Sequence, residues 1–411
     1  MRMLAPRLLS SAVILSLLAL PAAAQSAASP SHNAAPNQDS QPNATSPQPR
    51  IKRSVAPLPG DPLELATGPT AIVDTPQKRL AVTRLLRQAR RNIMLHAPDT
   101  NPFTLKVTFT STGHPRYSGA GEMEEAWASG QSWRWNAELA DYHQDRVFFD
   151  GFAYDEKSPG PIPLRLHMLR GALFNPGPML APQALMRIAS AQWQGTDLMC
   201  VLISGAGNDP TPTPGRRWTE TEHCIDPKTG LLHLSSEAPG IYVVYDYASA
   251  VQFHGKTLPR EISVVEAGNQ VLDIHVESIE DGTGDPARLK PTPQMMANGP
   301  GTILTRIRRF PQTVIFPEAA TSGTDVKRQK LNKISEGATK VNVEPVIVLA
   351  IIDEHGKVID AEALQNTNPT LSEAALRLVK NSTYRGQAPG TVPQQREAFI
   401  NVRLVEFATG G

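Results

Sequence analysis

A chain of 411 residues with two cysteines, 6% aromatic residues and a formal net charge of +1 is defined first by what it withholds. Two cysteines exclude a disulfide-dense small scaffold and any zinc site built on four thiolates. His223 beside Cys224 has no second pair of ligands at zinc spacing. The balanced charge removes the electrostatic case for nucleic acid, which needs a basic face. Past the N-terminal segment no apolar run approaches the ~20 residues that span a bilayer. Catalytic signatures are missing as well. There is no Gly-x-Ser-x-Gly elbow, no phosphate-cradling glycine loop and no His-Glu-x-x-His, and Gly205-Ala206-Gly207 lacks the third glycine of a dinucleotide fingerprint. His143, His167, His223, His233, His254 and His275 are scattered, and the acidic residues form no readable pair. The expectation is a protein that is not an enzyme and carries no metal or cofactor.

What is present begins at the N-terminus. Arg2 and Arg7 precede an apolar run over 8–20, and Ala22-Ala23-Ala24 offers a small-residue cleavage site before Gln25. This reads as a secretory signal over 1–24, with an uncleaved inner-membrane anchor as the alternative. No cysteine follows the run, so a lipoprotein anchor is unavailable to it. Cleavage would leave the protein in the periplasm; retention would leave it anchored and facing the same compartment. Residues 25–68, rich in Pro, Ser, Ala, Asn and Gln, bury too little apolar surface to offset their ordering entropy and read as a disordered tether.

Thr75-Pro76 is a cap and first-turn pair for a helix over 77–95, with Leu80, Leu85, Ala89, Ile93 and Met94 near one face and Arg84, Arg87, Arg90 and Arg91 on a solvated one. Strand patterns follow at 103–110, 119–127, 132–139 and 145–151, suited to successive antiparallel pairing. Residues 164–173 and 182–191 read as helical. Strands resume at 193–195, 197–204, 217–224, 241–253, 258–266 and 270–279, with a turn at Asp226-Pro227-Lys228-Thr229-Gly230-Leu231. Cys200 and Cys224 fall in this region, and in an exported protein an even pair reads as a disulfide; two buried thiols are the alternative. Residues 282–302, dense in Gly and Pro, read as a linker.

The last segment, 303–411, is the most patterned. Val346-Ile347-Val348-Leu349-Ala350-Ile351-Ile352 is a β-branched run typical of a buried strand. Asp353-Glu354-His355-Gly356 turns it into a return strand over 357–364. Asn368-Pro369-Thr370-Leu371-Ser372-Glu373 starts a helix with capping-box spacing, and Leu371, Ala374, Ala375, Leu378 and Val379 share a face. A final strand alternates over 398–405. Lys327, Arg328, Lys330 and Lys333 make the preceding polar insertion basic, as a solvated loop would be.

This order resembles the C-terminal domain of the TonB family of envelope energy transducers. The matching pieces are Phe316-Pro317-Glu318-Ala319-Ala320, the strand and turn from Ile352 to Val358, the helix start at Asn368 and the aromatic Tyr384 after it. It departs in the polar insertion over 324–344 and in Tyr384-Arg385-Gly386, where the family has aromatic-x-Pro. The resemblance implies a small α/β sheet that captures a peptide from an outer-membrane receptor or transporter by strand addition. Phe399, Ile400, Asn401, Val402, Arg403 and Leu404 would be its partner-binding edge. The region 75–281, a long helix followed by an antiparallel sheet around interior helices, resembles more loosely the LolA and LolB lipoprotein carriers. That implies a half-barrel whose concave face holds acyl chains. Trp127, Trp133, Trp135, Phe148 and Phe149 are either its lining or plain core.

The expected class is α+β: an antiparallel half-barrel with helices, then a small TonB-like α/β domain. The expected function is docking to an envelope protein partner by strand addition. The alternative is a periplasmic carrier or sensor that binds a lipid or lipoprotein acyl chain in the half-barrel.

Overall fold

The computed structural model describes residues 65–407 except 115, 157–161, 178–179, 206–210, 218–219, 267, 283–286, 302, 312–340, 365–368 and 392. The signal segment, the tether up to residue 64, Phe316 to Ala320, the basic insertion residues and Asn368 lie outside the described residues. Everything described belongs to one contiguous unit, residues 52–411.

Along the chain, β1 (Thr70–Ile72) precedes α1 (Pro76–Ile93), and β2 (Phe103–Ser111), β3 (Gly119–Ser129), β4 (Ser132–Leu139), β5 (Tyr142–Phe149) and β6 (Phe152–Asp155) form a meander. α2 (Leu164–Phe174) interrupts it. Then come β7 (Leu185–Trp193), β8 (Thr196–Ser204), β9 (Thr221–Ile225), β10 (Leu232–Ala238), β11 (Ile241–Asp246), β12 (Val251–Phe253), β13 (Lys256–Leu258), β14 (Glu261–Glu266) and β15 (Asn269–Asp281). After α3 (Pro293–Asn298) and β16 (Pro300–Gly301) lie β17 (Ile303–Pro311), β18 (Val341–Ile352), β19 (Val358–Ala363), α4 (Pro369–Asn381) and β20 (Gln394–Phe407).

Most of the strands join one 14-stranded antiparallel sheet, in the order β1-β7-β8-β9-β10-β11-β14-β15-β2-β3-β4-β5-β6-β16. With few helices against so much antiparallel sheet, the class is α+β. The inner face is written in period-2 patterns. In β2, Phe103, Leu105, Val107 and Phe109 are buried while Lys106, Thr108 and Thr110 are exposed. α1 starts as its sequence directs: the Thr75 hydroxyl accepts from Lys78 N at 3.2 Å, and Pro76 opens the first turn. Its buried stripe is Val82, Leu86, Ala89 and Ile93, whereas Leu80 is 49% exposed, so the apolar face is rotated from the expected one.

Two expectations in this region are overturned. Residues 185–191 are strand, not helix, with 182–184 a turn leading into it, because β7 pairs residue for residue with β8 through a tight turn at Gln194-Gly195, both at positive φ. The expected linker over 282–302 is structured at its end. Thr292 caps α3, accepting from Met295 N, and β16 extends the large sheet by pairing Pro300 and Gly301 with Tyr154 and Ala153.

The C-terminal sheet runs β17-β20-β18-β19, with β17 parallel to β20 and the other pairs antiparallel. Over 346–352 β18 is buried on both sides, which explains its unbroken apolar run. Val346, Val348, Ala350 and Ile352 pack with Ala375 and Val379 of α4, while Ile347, Leu349 and Ile351 join the core of the large sheet. The reading of β20 as a free docking edge is corrected here. Phe399, Ile400, Asn401, Val402, Arg403 and Leu404 pair with Leu349, Val348, Ile347, Val346, Pro345 and Glu344 of β18. On the other side β17 pairs Phe310 with Ile400 and Pro311 with Asn401, where its pairing ends, so among the described residues Val402, Arg403 and Leu404 are paired on the β18 side alone. A strand at the centre of an apolar sheet must satisfy its backbone groups on both sides, and the chain just before the sheet supplies the second partner.

Candidate site between the inner face, α2 and the C-terminal sheet

The residues that meet at this site are organised by α2, Leu-Arg-Leu-His-Met-Leu-Arg-Gly-Ala-Leu-Phe. Almost every side chain of the helix is buried, including Arg165 and His167. A helix with no polar face is an interior helix. It lies against β14 and β15 of the large sheet, and residues of the C-terminal sheet join the same core. Leu349 and Phe399 reach Met168, Ala172, Tyr245 and Val264 around a residual space of about 30 Å³. The inner face of the large sheet, α2 and one face of the C-terminal sheet thus share one apolar core.

Buried cations need partners, and α2 carries Arg165, His167 and Arg170 into this interior. Arg165 Nη1 lies 3.2 Å from Glu266 Oε1 on β14 and 3.1 Å from Glu362 Oε2 on β19. Arg170 Nη1 donates to Glu125 Oε2 at 3.0 Å, and its guanidinium lies over the Trp135 ring at 4.2 Å. Glu125 is fully buried on β3 and also bonds His96, which stacks on Phe174 with centroids 4.1 Å apart. Burial pushes the Glu125 carboxyl up, but the charges and hydrogen bonds of His96 and Arg170 outweigh it and hold the group below the usual carboxylate range. Glu362 goes the other way. Burial and the Glu266 charge, with Asp360 adding, push it up to about 7 against the pull of Arg165 and Lys380.

Beside Arg170 the packing leaves a cavity of about 260 Å³, lined by His96, Trp133, Trp135, Arg146, Phe148, Ile162, His167, Arg170, Asn175 and Glu397 among others. Trp133 and Phe148 stack at 5.3 Å across β4 and β5. Trp135 Nε1 and both ring nitrogens of the fully buried His167 make no hydrogen bond. The nearest carboxylate oxygen to His167 Nδ1 is Glu397 Oε2, at 3.8 Å. A larger groove of about 500 Å³ outside β2 to β4 is open and lined by groups such as Thr108, Glu122, Glu138 and Asp273. It has no comparable unpartnered donors.

The residues singled out by sequence fall in different places. Cys200 and Cys224 face each other across β8 and β9 and are bonded, S–S 2.02 Å. Glu222 lies beside them, but the sulfurs are committed to each other and offer no thiolate. His223 sits on the opposite side of its strand, hydrogen-bonded to Ser235. Trp127 is core, stacked with Phe103 at 5.4 Å, whereas Trp133, Trp135 and Phe148 reach the cavity. Sequence reasoning passed over Arg165, Arg170, Glu125, Glu362 and Glu397. The available signal was a helix whose basic residues interrupt an apolar sequence without forming a separate polar stripe.

No protein family and no curated protein matches the chain. Solved structures similar to it include a LolA superfamily protein from Nitrosomonas europaea, at 8% identity and a TM-score of 0.35, covering 51% of this chain and 97% of that one. A putative outer membrane lipoprotein-sorting protein domain from Vibrio parahaemolyticus is similar at 7% identity and a TM-score of 0.31, covering 51% of this chain and 100% of that one. The resemblance of the C-terminal segment to TonB rests on its sequence motifs alone. Among the described residues no helix is long and apolar enough to cross a membrane.

Proposed function

We propose that the chain is an exported carrier or sensor that binds an amphiphile, such as a lipid or an acyl chain, against the inner face of its large sheet. The observation that carries this reading is the incompletely filled aromatic cavity inside a core shared by that face, α2 and the C-terminal sheet. Apolar concave sites with a few convergent polar groups are the usual form of small-molecule sites. The C-terminal sheet covers part of the inner face and is placed to act as a cover that a ligand displaces or stabilises. Its other suggested role, capture of an envelope partner on β20, loses support because that strand is paired with β18 along its length and with β17 as far as Asn401. Export is supported by the leader-like sequence and by the Cys200–Cys224 bond.

The test uses the full chain. Organic extracts of the purified protein should contain a bound amphiphile by mass spectrometry. 1-Anilinonaphthalene-8-sulfonate should bind the extracted protein and be displaced by hexadecanoate. Absence of both a co-purified lipid and dye uptake would overturn the carrier reading.

A further inference from the structure

The cavity beside α2 has a chemistry of its own. Its charged and polar lining is almost all donor. Trp135 Nε1 has only a donor to offer, and His167 presents two unpartnered ring nitrogens. Arg146 is committed to Asp155 through Nε and Nη2, at 2.9 and 2.8 Å. Arg170 is committed to Glu125 through Nη1. Nη1 of Arg146, and Nε and Nη2 of Arg170, take no part in these bonds. Against these donors the lining sets one carboxylate, Glu397. Buried unpartnered donors are costly, so a site that keeps them open is matched to something that brings acceptors.

Size and walls narrow the ligand. A volume of about 260 Å³ corresponds to roughly nine waters at ~30 Å³ each. That is room for a compact molecule with the C-terminal sheet seated; a long acyl chain would enter only where that cover is displaced. Trp133, Trp135, Phe148 and Ile162 supply flat or apolar walls, and exposed Asn175 stands at the rim. We infer that this cavity is a binding site for a compact carboxylate with a flat apolar body, its carboxylate held by His167, Trp135 and the two arginines and its body lying against the aromatic walls. The inference rests on the reading of the inner face as a ligand surface but names a ligand class that reading does not.

Isothermal titration of the full chain with phenylacetate and with its neutral isostere phenylacetamide tests this directly. Phenylacetate is expected to bind, and the amide to bind about tenfold more weakly, because it loses the charge-assisted bonds and brings donors into a donor-rich site. Trp135→Phe keeps the wall and removes one donor; it should weaken phenylacetate by about threefold or more and leave the amide less affected. Thermal unfolding of the wild type and this variant, with and without phenylacetate, separates lost binding from lost folding. Equal binding of acid and amide, no binding of either, or unchanged phenylacetate affinity in the folded Trp135→Phe variant would each overturn the proposal. If hexadecanoate still displaces the dye in any of those cases, the carrier reading survives while this site assignment does not.

Discussion

Arg165 and Glu362 join α2 to the C-terminal sheet through a contact of 3.1 Å, and the same guanidinium nitrogen lies 3.2 Å from Glu266 on the large sheet. Two carboxylates from separate sheets therefore lean on one buried cation. Neither is fully compensated, and burial pushes both upward, Glu362 to about 7. This makes the seating of the C-terminal sheet sensitive to pH.

The sign follows from linkage. The folded state holds the Glu362 proton more tightly than the unfolded chain, whose group titrates near 4.5. Its contribution to stability is complete below that value and is lost as pH rises through about 7. His114, 3.9 Å from both Asp360 and Glu362, opposes this: burial lowers its pKa, so its contribution is present above 6.5 and is lost on acidification. Glu362→Gln isolates the first effect. Between pH 5 and 7.5 the wild type should lose stability relative to this variant by on the order of 1–3 kcal/mol, measured by urea unfolding at each pH. A difference that does not change with pH would refute the assignment.

The Cys200–Cys224 bond closes a sequence separation of 24 within adjacent strands. In the chain-entropy description this stabilises by about 3 kcal/mol. The double substitution Cys200→Ala with Cys224→Ala should lower the urea midpoint accordingly, and reductant should then have no further effect on the variant. An unchanged midpoint would show that the bond adds no constraint.

Gly356 carries the turn between β18 and β19 at φ 84°, and a Cβ there would stand 2.0 Å from the Tyr384 carbonyl oxygen. Gly390 has a similar φ of 80° with nothing within 4 Å of its Cβ position. Gly390→Ala should therefore cost only the backbone strain, about 1–2 kcal/mol. Gly356→Ala should cost clearly more, because backbone must move. Equal losses in thermal or urea unfolding would contradict the close approach.

Leu349 and Phe399 are opposite one another on β18 and β20 and fill the junction with α2. Each truncation to alanine should destabilise by about 2–5 kcal/mol. Because they are direct neighbours, the double variant should lose less than the sum, a coupling that a double-mutant cycle reads. Where the variants remain folded, uptake of 1-anilinonaphthalene-8-sulfonate should rise, since the cover over the inner face is loosened. Strictly additive losses with unchanged dye uptake would argue against a shared core.

Much of the local structure is written in the residues themselves. Thr75-Pro76 starts α1, alternation in 103–110 makes β2, and the acidic turn closing on Gly356 separates β18 from β19. The cysteines that pair are the two present. The run from Val346 to Ile352 announced a buried strand, because an unbroken apolar sequence at strand length has no face for water. It did not announce what lies on either side. The helix expected at 182–191 failed for the same reason: Leu185–Trp193 is held as strand by β8 and β1, not by any local preference.

Sequence alone, then, carried most of the periodicity, the turns and the α+β class of the fold, since these depend on residues a few positions apart. Tertiary structure alone decided that β20 lies between β17 and β18, and that Arg165, His167 and Arg170 turn inward. Pairing of strands and neutralisation of buried charge join residues far apart in the chain, and no local pattern encodes which distant carboxylate or strand will be there to meet them.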